Sequence, residues 1–364
     1  MPTVSAPGRV NLIGEHIDYH SLPVLPMAIG QRVTVHFTPI AGPRIEAIGA
    51  GGFPPRTFAW SPSIAPYESG DWGNYLKAAA QAVALRWGVR NGIAAEITGN
   101  IPPAAGLSSS SALLVAFTLA LLEANSIRPT IGELMEILPD GEQYVGTRGG
   151  GMDHAISLAG RAGHALEIHF SPFHARPIPI PPAWAFLIAH SLRTAEKSSA
   201  VREEYNQRRF AGQRALHQLG FTSYRQNPSP ELAAQLTDPL ERRCFLHVVT
   251  EAARVRQAIA ALESQDAPSF ARVLNEGHRS LRDQLQVSCP ELDRLTESAL
   301  HAGALGARLT GAGFGGCAII FTTHDALPAI QQNLIETFYN GDPTRIFPAV
   351  PSNGAMAAGT SSPS

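Results

Sequence analysis

The chain has 364 residues, enough for one large or two ordinary domains whose cores need no disulfide or metal staple. Hydrophobic residues make up 44% and charged residues 16%, the balance of a globular protein. A net charge of −2 gives no basic surface for nucleic acid or an anionic membrane, so a negative substrate would have to be met by local charge and backbone dipoles.

The amino terminus, Met-Pro-Thr-Val-Ser-Ala, has no basic and apolar leader, and the longest apolar runs are broken by Gly, Pro, His or charge. A cytoplasmic protein with no membrane span is therefore expected. Val10, Leu12 and Ile13 predict a short buried strand ending at Gly14. Residues 30–60 mix Val, Thr, Phe and Ile with turn residues and predict strands and hairpins. A helix is predicted over 71–86, a strand over 94–98, and a wholly apolar, hence buried, helix over 108–125. A strand follows over 164–170. The run Arg176-Pro-Ile-Pro-Ile-Pro-Pro182 predicts a stiff connector and a domain boundary, giving domains 1–182 and 183–351. Beyond it lie a strand over 184–190, helices over 194–218, 229–264 and 267–284, and a strand over 317–321. Residues 352–364, rich in Ser, Gly, Ala and Pro, predict a disordered tail. Cys244, Cys289 and Cys317 match no zinc or disulfide spacing and read as buried free thiols of a reducing compartment. The mixture of strands and helices predicts an α+β chain with two lobes.

Three segments carry chemistry. The first strand runs into Gly14-Glu15-His16-Ile17-Asp18-Tyr19, and three short polar side chains within four residues suit a pocket that hydrogen-bonds a polyol. Residues 102–112, Pro-Pro-Ala-Ala-Gly-Leu-Ser-Ser-Ser-Ser-Ala, lead directly into the apolar helix. Helix-start amides and the helix dipole form an anion site there, Gly106 permits close backbone approach, and the serine hydroxyls can add hydrogen bonds or a Mg²⁺ ligand. No Gly-Lys-Ser/Thr follows, so this is not a Walker A loop. Residues 146–153, Gly-Thr-Arg-Gly-Gly-Gly-Met-Asp, bring backbone close to something and aim Asp153 at it, unless Asp153 merely caps the helix-like run behind it. Gly311, Gly313 and Gly316 satisfy a dinucleotide pattern, but a strand follows where a helix should.

The first of these segments resembles the signature of the galactokinases, members of the GHMP family. The serine loop resembles the second motif of that family, and Leu-Thr-Gly-Ala-Gly-Phe-Gly-Gly-Cys over 309–317 resembles the third. The resemblance runs from about residue 5 to about residue 355. It implies a two-lobed GHMP kinase fold with the active site in the cleft between lobes. It further implies ATP-dependent phosphorylation of the C1 hydroxyl of D-galactose, with Mg²⁺ as cofactor, small-molecule sugar and ATP as the partners, and a monomer or weak oligomer. Asp153 and Arg9 take the catalytic roles. Arg9 would keep Asp153 ionised, and Asp153 either accepts the hydroxyl proton or only orients the hydroxyl. Glu15, His16, Asp18, Tyr205 and the Gly150 backbone match sugar contacts. Ala104, Ala105, Gly106, Leu107, Ser108, Ser109 and Ser110 match the ATP phosphate loop, with Ser110 a Mg²⁺ ligand. Trp72 matches an aromatic near the adenine and reads equally well as core packing. Relatives place a metal-binding Glu twelve residues before the catalytic Asp. That position is Gly141 here, and Glu142, one residue later and about 100° around the helix, is the candidate. The wording Gly-Glu-His-Ile-Asp-Tyr and Gly-Gly-Gly-Met-Asp looks closest to plant-type galactokinases and N-acetylgalactosamine kinases. N-acetylgalactosamine, arabinose or galacturonate 1-kinase activity and a non-catalytic sugar sensor are the rival readings.

Overall fold

The computed structural model describes residues 1–102, 105–145, 150–194 and 199–357. The chain begins with β1 (Thr3–Ile13), β2 (Leu25–Ile40), β3 (Arg44–Gly49) and β4 (Arg56–Ala59), followed by α1 (Gly73–Trp87) and β5 (Gly92–Gly99). Three helices come next, α2 (Ser109–Ala124), α3 (Ile131–Tyr144) and α4 (Met152–Ala159), and then the hairpin β6 (His164–Phe170) and β7 (Phe173–Pro179). The second half holds β8 (Trp184–His190), α5 (Ser199–Gln218), α6 (Pro239–Glu263), α7 (Ala267–Arg279) and α8 (Pro290–His301). It closes with β9 (Gly306–Leu309), β10 (Cys317–Thr323), α9 (Leu327–Thr337), β11 (Ile346–Pro348) and β12 (Met356–Ala357).

The strands make one sheet of order β12-β1-β2-β5-β3-β4 and a second of order β11-β8-β10-β9, with β6-β7 paired separately. In the first sheet all pairs are antiparallel except β3 with β5, and β1 aligns Val4 with Val35 and Val10 with Met27. Helix α2 is apolar on every side because it is covered on every side. Leu114, Val115, Phe117, Ala120 and Leu121 are buried between the β1–β2 pair and helices α1, α3 and α4. The second sheet carries Trp184, Phe186 and Phe321, which pack with Phe270 of α7 at ring separations of 4.8–6.2 Å.

The observed elements differ from the expected ones where proline and hydrogen bonding decide. Arg176–Pro179 is not a connector but the end of β7, which pairs with β6 through His164↔Pro179 and Glu167↔Arg176. Its prolines sit on a strand with one partner only, where a missing N–H costs no ladder bond. The helix expected over 229–264 is a 3₁₀ turn (Pro230–Gln235) and then α6. Asp238 accepts the Leu240 and Glu241 amides and Pro239 occupies the first helical position, so a new helix starts there. The helix expected over 267–284 leaves α geometry at Ser280–Leu285, a π turn. Residues 352–357, expected in a disordered tail, return to the first sheet, with Met356 opposite Ser5. Arg32 donates to the Asn353 and Gly354 carbonyls at 2.9 and 2.7 Å. Truncation after Pro351 is therefore expected to lower the melting temperature by several degrees, since buried hydrogen bonds contribute about 1 kcal/mol each. An unchanged melt would show that β12 contributes nothing to the sheet.

Candidate active site

The site grows from the end of β1. Gly14 has φ +105°, and a Cβ there would press on Val24, so the chain can turn at this point only with glycine. The turn delivers Glu15, His16 and, on a 3₁₀ turn over Asp18–His20, Asp18. Gly8 lets β1 lie against the serine loop, since a Cβ would sit 2.7 Å from the Leu107 carbonyl, and the Arg9 amide donates to that carbonyl at 3.2 Å. Arg9 Nη1 donates to the Gly106 carbonyl at 2.6 Å, and Nε donates to Asp153 Oδ1 at 2.8 Å. Asp153 stands in the first turn of α4. Burial alone would raise its pKa, but Arg9, the Ser108 hydroxyl and the neighbouring His154 together hold it below the usual carboxylate range. It is ionised at neutral pH.

Asp18 lines the same cavity as Asp153, near enough for the two charges to interact. Its Oδ2 accepts the Gly150 amide at 3.1 Å, and a Cβ on Gly150 would strike the Asp18 backbone and carboxyl. Burial and the nearby Asp153 charge push Asp18 up to about 6. Tyr205 on α5 packs its ring 5.0 Å from His16 and 5.6 Å from Tyr19.

Two of the expected sugar contacts are also structural ties. Glu15 Oε1 accepts the Gly311 amide at 2.7 Å, Oε2 accepts from Asn11, and Arg308 Nη2 lies 3.8 Å away. Burial raises Glu15 to about 7. His16 has both ring nitrogens engaged, Nε2 with the Ala312 carbonyl at 3.1 Å and Nδ1 with the Tyr19 hydroxyl at 3.0 Å. A carbonyl can only accept, so Nε2 carries the proton and Nδ1 accepts from Tyr19. Burial lowers His16 to about 3, which keeps the ring neutral. Both residues thus join the first signature to the glycine loop over 310–316, and Thr310 Oγ1 adds bonds to the Asn11 amide and carbonyl.

The serine loop completes the wall. Gly106 has φ +76°, and Gly311 packs so closely on it that a Cβ would lie 2.9 Å from the Gly106 carbonyl. Ser109 and Ser110 open α2, and Ser108 donates to Asp153 Oδ2 at 2.5 Å. One cavity of about 920 Å³ is lined by Arg9, Glu15, His16, Asp18, Gly106, Leu107, Ser108, Ser109, Ser110, Gly150, Asp153 and Tyr205. Its lining also includes the apolar side chains of Val33, Phe53, Trp72, Ile97 and Ile101. Trp72 donates its ring N–H to the Pro54 carbonyl at 3.0 Å and packs on Phe53, so it is both core and cavity wall. Ala104 lies outside the described residues, as does the Glu142 side chain; Ala105 is buried beneath the loop. A Cβ added at Gly141 would lie 3.2 Å from Leu114 of α2. Among the described residues no group of three or more His, Cys, Asp or Glu is arranged to hold a metal.

Sequence reasoning missed the support behind this wall. Glu251 of α6, wholly buried, accepts the Gly14 amide at 2.8 Å and pairs with Arg308 at 3.1 Å and Arg254 at 2.7 Å. Burial opposes its charge, but the two guanidinium groups hold it well below the usual carboxylate range. Nothing in a charged helical stretch marks Glu251, whereas Arg308 stands directly before the glycine loop and could have been suspected.

A βα lobe presenting serines at a helix start, a second lobe presenting a glycine loop, and an ionised Asp and Arg between them define a small-molecule kinase of GHMP type. The model for the GHMP kinases N terminal domain matches residues 74–161, that for GHMP kinases C terminal matches 258–340, and the galactokinase galactose-binding signature matches 2–39. The chain is 37% identical to a galactokinase of a Roseiflexus species, over 93% of this chain and 87% of that one. It is 35% identical to a galactokinase of Streptomyces coelicolor (96% and 92%) and 37% identical to one of Bos taurus (92% and 87%). The crystal structure of Lactococcus lactis galactokinase complexed with galactose superposes with a TM-score of 0.87 at 27% identity, covering 98% of this chain and 94% of that one. The fold extends to the mevalonate kinase of Methanococcus jannaschii, TM-score 0.69 at 19% identity, over 96% and 98% of the two chains. The chain belongs to the galactokinases of the GHMP kinase family. Among the described residues no helix is long and apolar enough to cross a membrane.

Proposed function

We propose that this chain transfers the γ-phosphoryl group of ATP to the C1 hydroxyl of D-galactose, giving α-D-galactose 1-phosphate and ADP. The observation that carries the reading is the placement of Asp153: one carboxylate oxygen on Arg9, the other on a serine of the loop that opens α2. The phosphates lie over the α2 N-terminus, where amides and the helix dipole favour anions. The adenine lies toward Trp72 and Phe53, which pack on each other in the apolar part of the lining. The sugar lies between Asp18, Gly150, Tyr205 and Asp153. Asp153, kept ionised, accepts the C1 hydroxyl proton or orients that hydroxyl, while Arg9 offsets charge on the transferred group. Mg²⁺ bound with ATP supplies charge neutralisation on the phosphates. The serine hydroxyls that open α2 are hard oxygen donors, which fits a cation that keeps several waters and few protein ligands. The Ser110 hydroxyl is the ligand candidate. The division into domains 1–182 and 183–351 is likewise proposed, with residues 352–357 now joined to the first.

Rates of ATP consumption with galactose, N-acetylgalactosamine, arabinose, galacturonate and glucose test the reading, with the product position read by NMR. Galactose is expected to give the highest kcat/KM, with phosphate on C1. A higher kcat/KM for N-acetylgalactosamine would move the assignment to that sugar, and sugar binding without ATP consumption would make the chain a sensor.

Asp18 also predicts a pH dependence. Its pKa of about 6 makes it an ionised acceptor at pH 7.5 and a protonated group below 6. A protonated carboxyl accepts fewer hydroxyl hydrogens, so galactose KM is expected to rise as pH falls through about 6 at saturating MgATP. Asp18→Asn is expected to abolish that rise. The same rise in the variant would assign it to another group.

A further inference from the structure

Ser108 occupies the N-cap position of α2, yet it does not cap the helix. A serine there ordinarily has extended backbone and accepts an amide of the first turn with its hydroxyl. Ser108 instead has φ 59° and ψ 37°, in the left-handed region, and its side chain makes no capping bond. Its carbonyl still begins the helix, accepting the Ala112 amide at 2.9 Å. Its hydroxyl turns the other way and donates to Asp153 Oδ2 at 2.5 Å, across 45 residues of sequence. Left-handed backbone is unfavourable for a residue with a Cβ and persists only where surrounding structure holds it. Here the loop is held by Arg9 on the Gly106 carbonyl and by Gly311 against the same carbonyl.

We propose that Ser108 is a positioning residue for phosphoryl transfer, acting through Asp153: it fixes the second carboxylate oxygen and so ties the orientation of that carboxylate to the loop that receives the phosphates. This rests on the role given to Asp153 above. A carboxylate with one donor on each oxygen cannot rotate about its Cβ–Cγ bond without losing one of them. Each oxygen keeps a further lone pair for a substrate hydroxyl. Arg9 alone would leave Oδ2 free to swing. The phosphate loop thus serves both sides of the reaction, nucleotide through its backbone and acceptor through one hydroxyl.

The test uses Ser108→Gly and Ser108→Ala in the full chain. Both remove the hydroxyl, and glycine also relieves the left-handed backbone, so a folding defect in the alanine variant does not obscure the glycine variant. Both are expected to lose roughly tenfold to a hundredfold in kcat, the range of a hydrogen bond to a charged group. The KM values for galactose and ATP should stay within about threefold, and the acid limb of the kcat–pH profile should move upward as Asp153 loses a donor. A raised KM for ATP with kcat and the acid limb unmoved would overturn the proposal and make Ser108 a nucleotide ligand only. The double variant Ser108→Gly/Asp153→Asn should be no slower than Asp153→Asn by itself. Fully multiplicative losses would overturn the proposal alone. Near-normal turnover of Asp153→Asn would overturn the reading of Asp153 and the proposal with it.

Discussion

Asp153→Asn is expected to lower kcat by roughly 10²–10⁴-fold, the usual contribution of a positioned general base, while leaving galactose able to raise the melting temperature. The substitution keeps the shape of the side chain. Asn can still accept from Arg9 Nε, and Arg9 keeps its bond to the Gly106 carbonyl, so the loop and β1 stay together. What is lost is the charge. Arg9, whose side chain is 7% exposed, then lacks its ionic partner, and some stability is expected to go with it. The two effects separate experimentally. Turnover is read as ATP consumption at saturating substrates, and folding as the melt with and without galactose. A well-folded variant with kcat within tenfold of the parent would remove Asp153 from the chemistry and leave phosphoryl transfer to electrostatics from Arg9 and Mg²⁺.

Much of this site is legible in the sequence because each part is local. Strand-then-polar-turn at 10–18, serines before an apolar helix at 108–112, and three glycines before Asp153 are patterns whose physics lies within a few residues. The structure brings all three to one cavity. What stayed hidden is the pairing between segments. That Glu15 would spend its carboxylate on Gly311 and Asn11, and His16 its ring on Ala312 and Tyr19, depends on residues up to 296 positions away. Polar side chains in a turn read alike whether they face a ligand or another loop. Glu251 is the extreme case, a buried anion on a helix full of charges, recognisable only once Arg308 and the Gly14 amide are seen around it. The errors in the fold have similar causes. Pro-Ile-Pro-Ile reads as a stiff spacer because sequence does not reveal which strand edge is free. Residues 352–357 read as a tail because their composition is that of a linker, whereas their order comes from Arg32 and β1.

Gly150 carries the other large expectation. Substitution by alanine is expected to reduce kcat/KM for galactose by roughly 10²-fold or more, because displacements of about an ångström at a reacting centre cost on that order. The reason is steric. A Cβ there would fall on the Asp18 backbone, on the Tyr19 amide nitrogen and 2.6 Å from Asp18 Cγ. Backbone cannot yield as a flexible side chain can, so the segment that holds Gly150, just before α4, must move away from the 3₁₀ turn. That movement breaks the Gly150–Asp18 bond, frees the Asp18 carboxylate from its place, and displaces Asp153 three residues further on. The serine loop and the Trp72 part of the cavity lining are built on other elements, so ATP should still raise the melting temperature. Gly30→Ala is the control. It lies in β2, a Cβ there meets nothing within 4 Å, and its rates should match the parent. A Gly150→Ala protein with galactose kcat/KM within threefold of Gly30→Ala would mean that the close approach of these two segments does not set the sugar site. Loss of the ATP-induced shift as well would mean that the contact between Gly150 and Asp18 holds the whole cleft together, nucleotide side included.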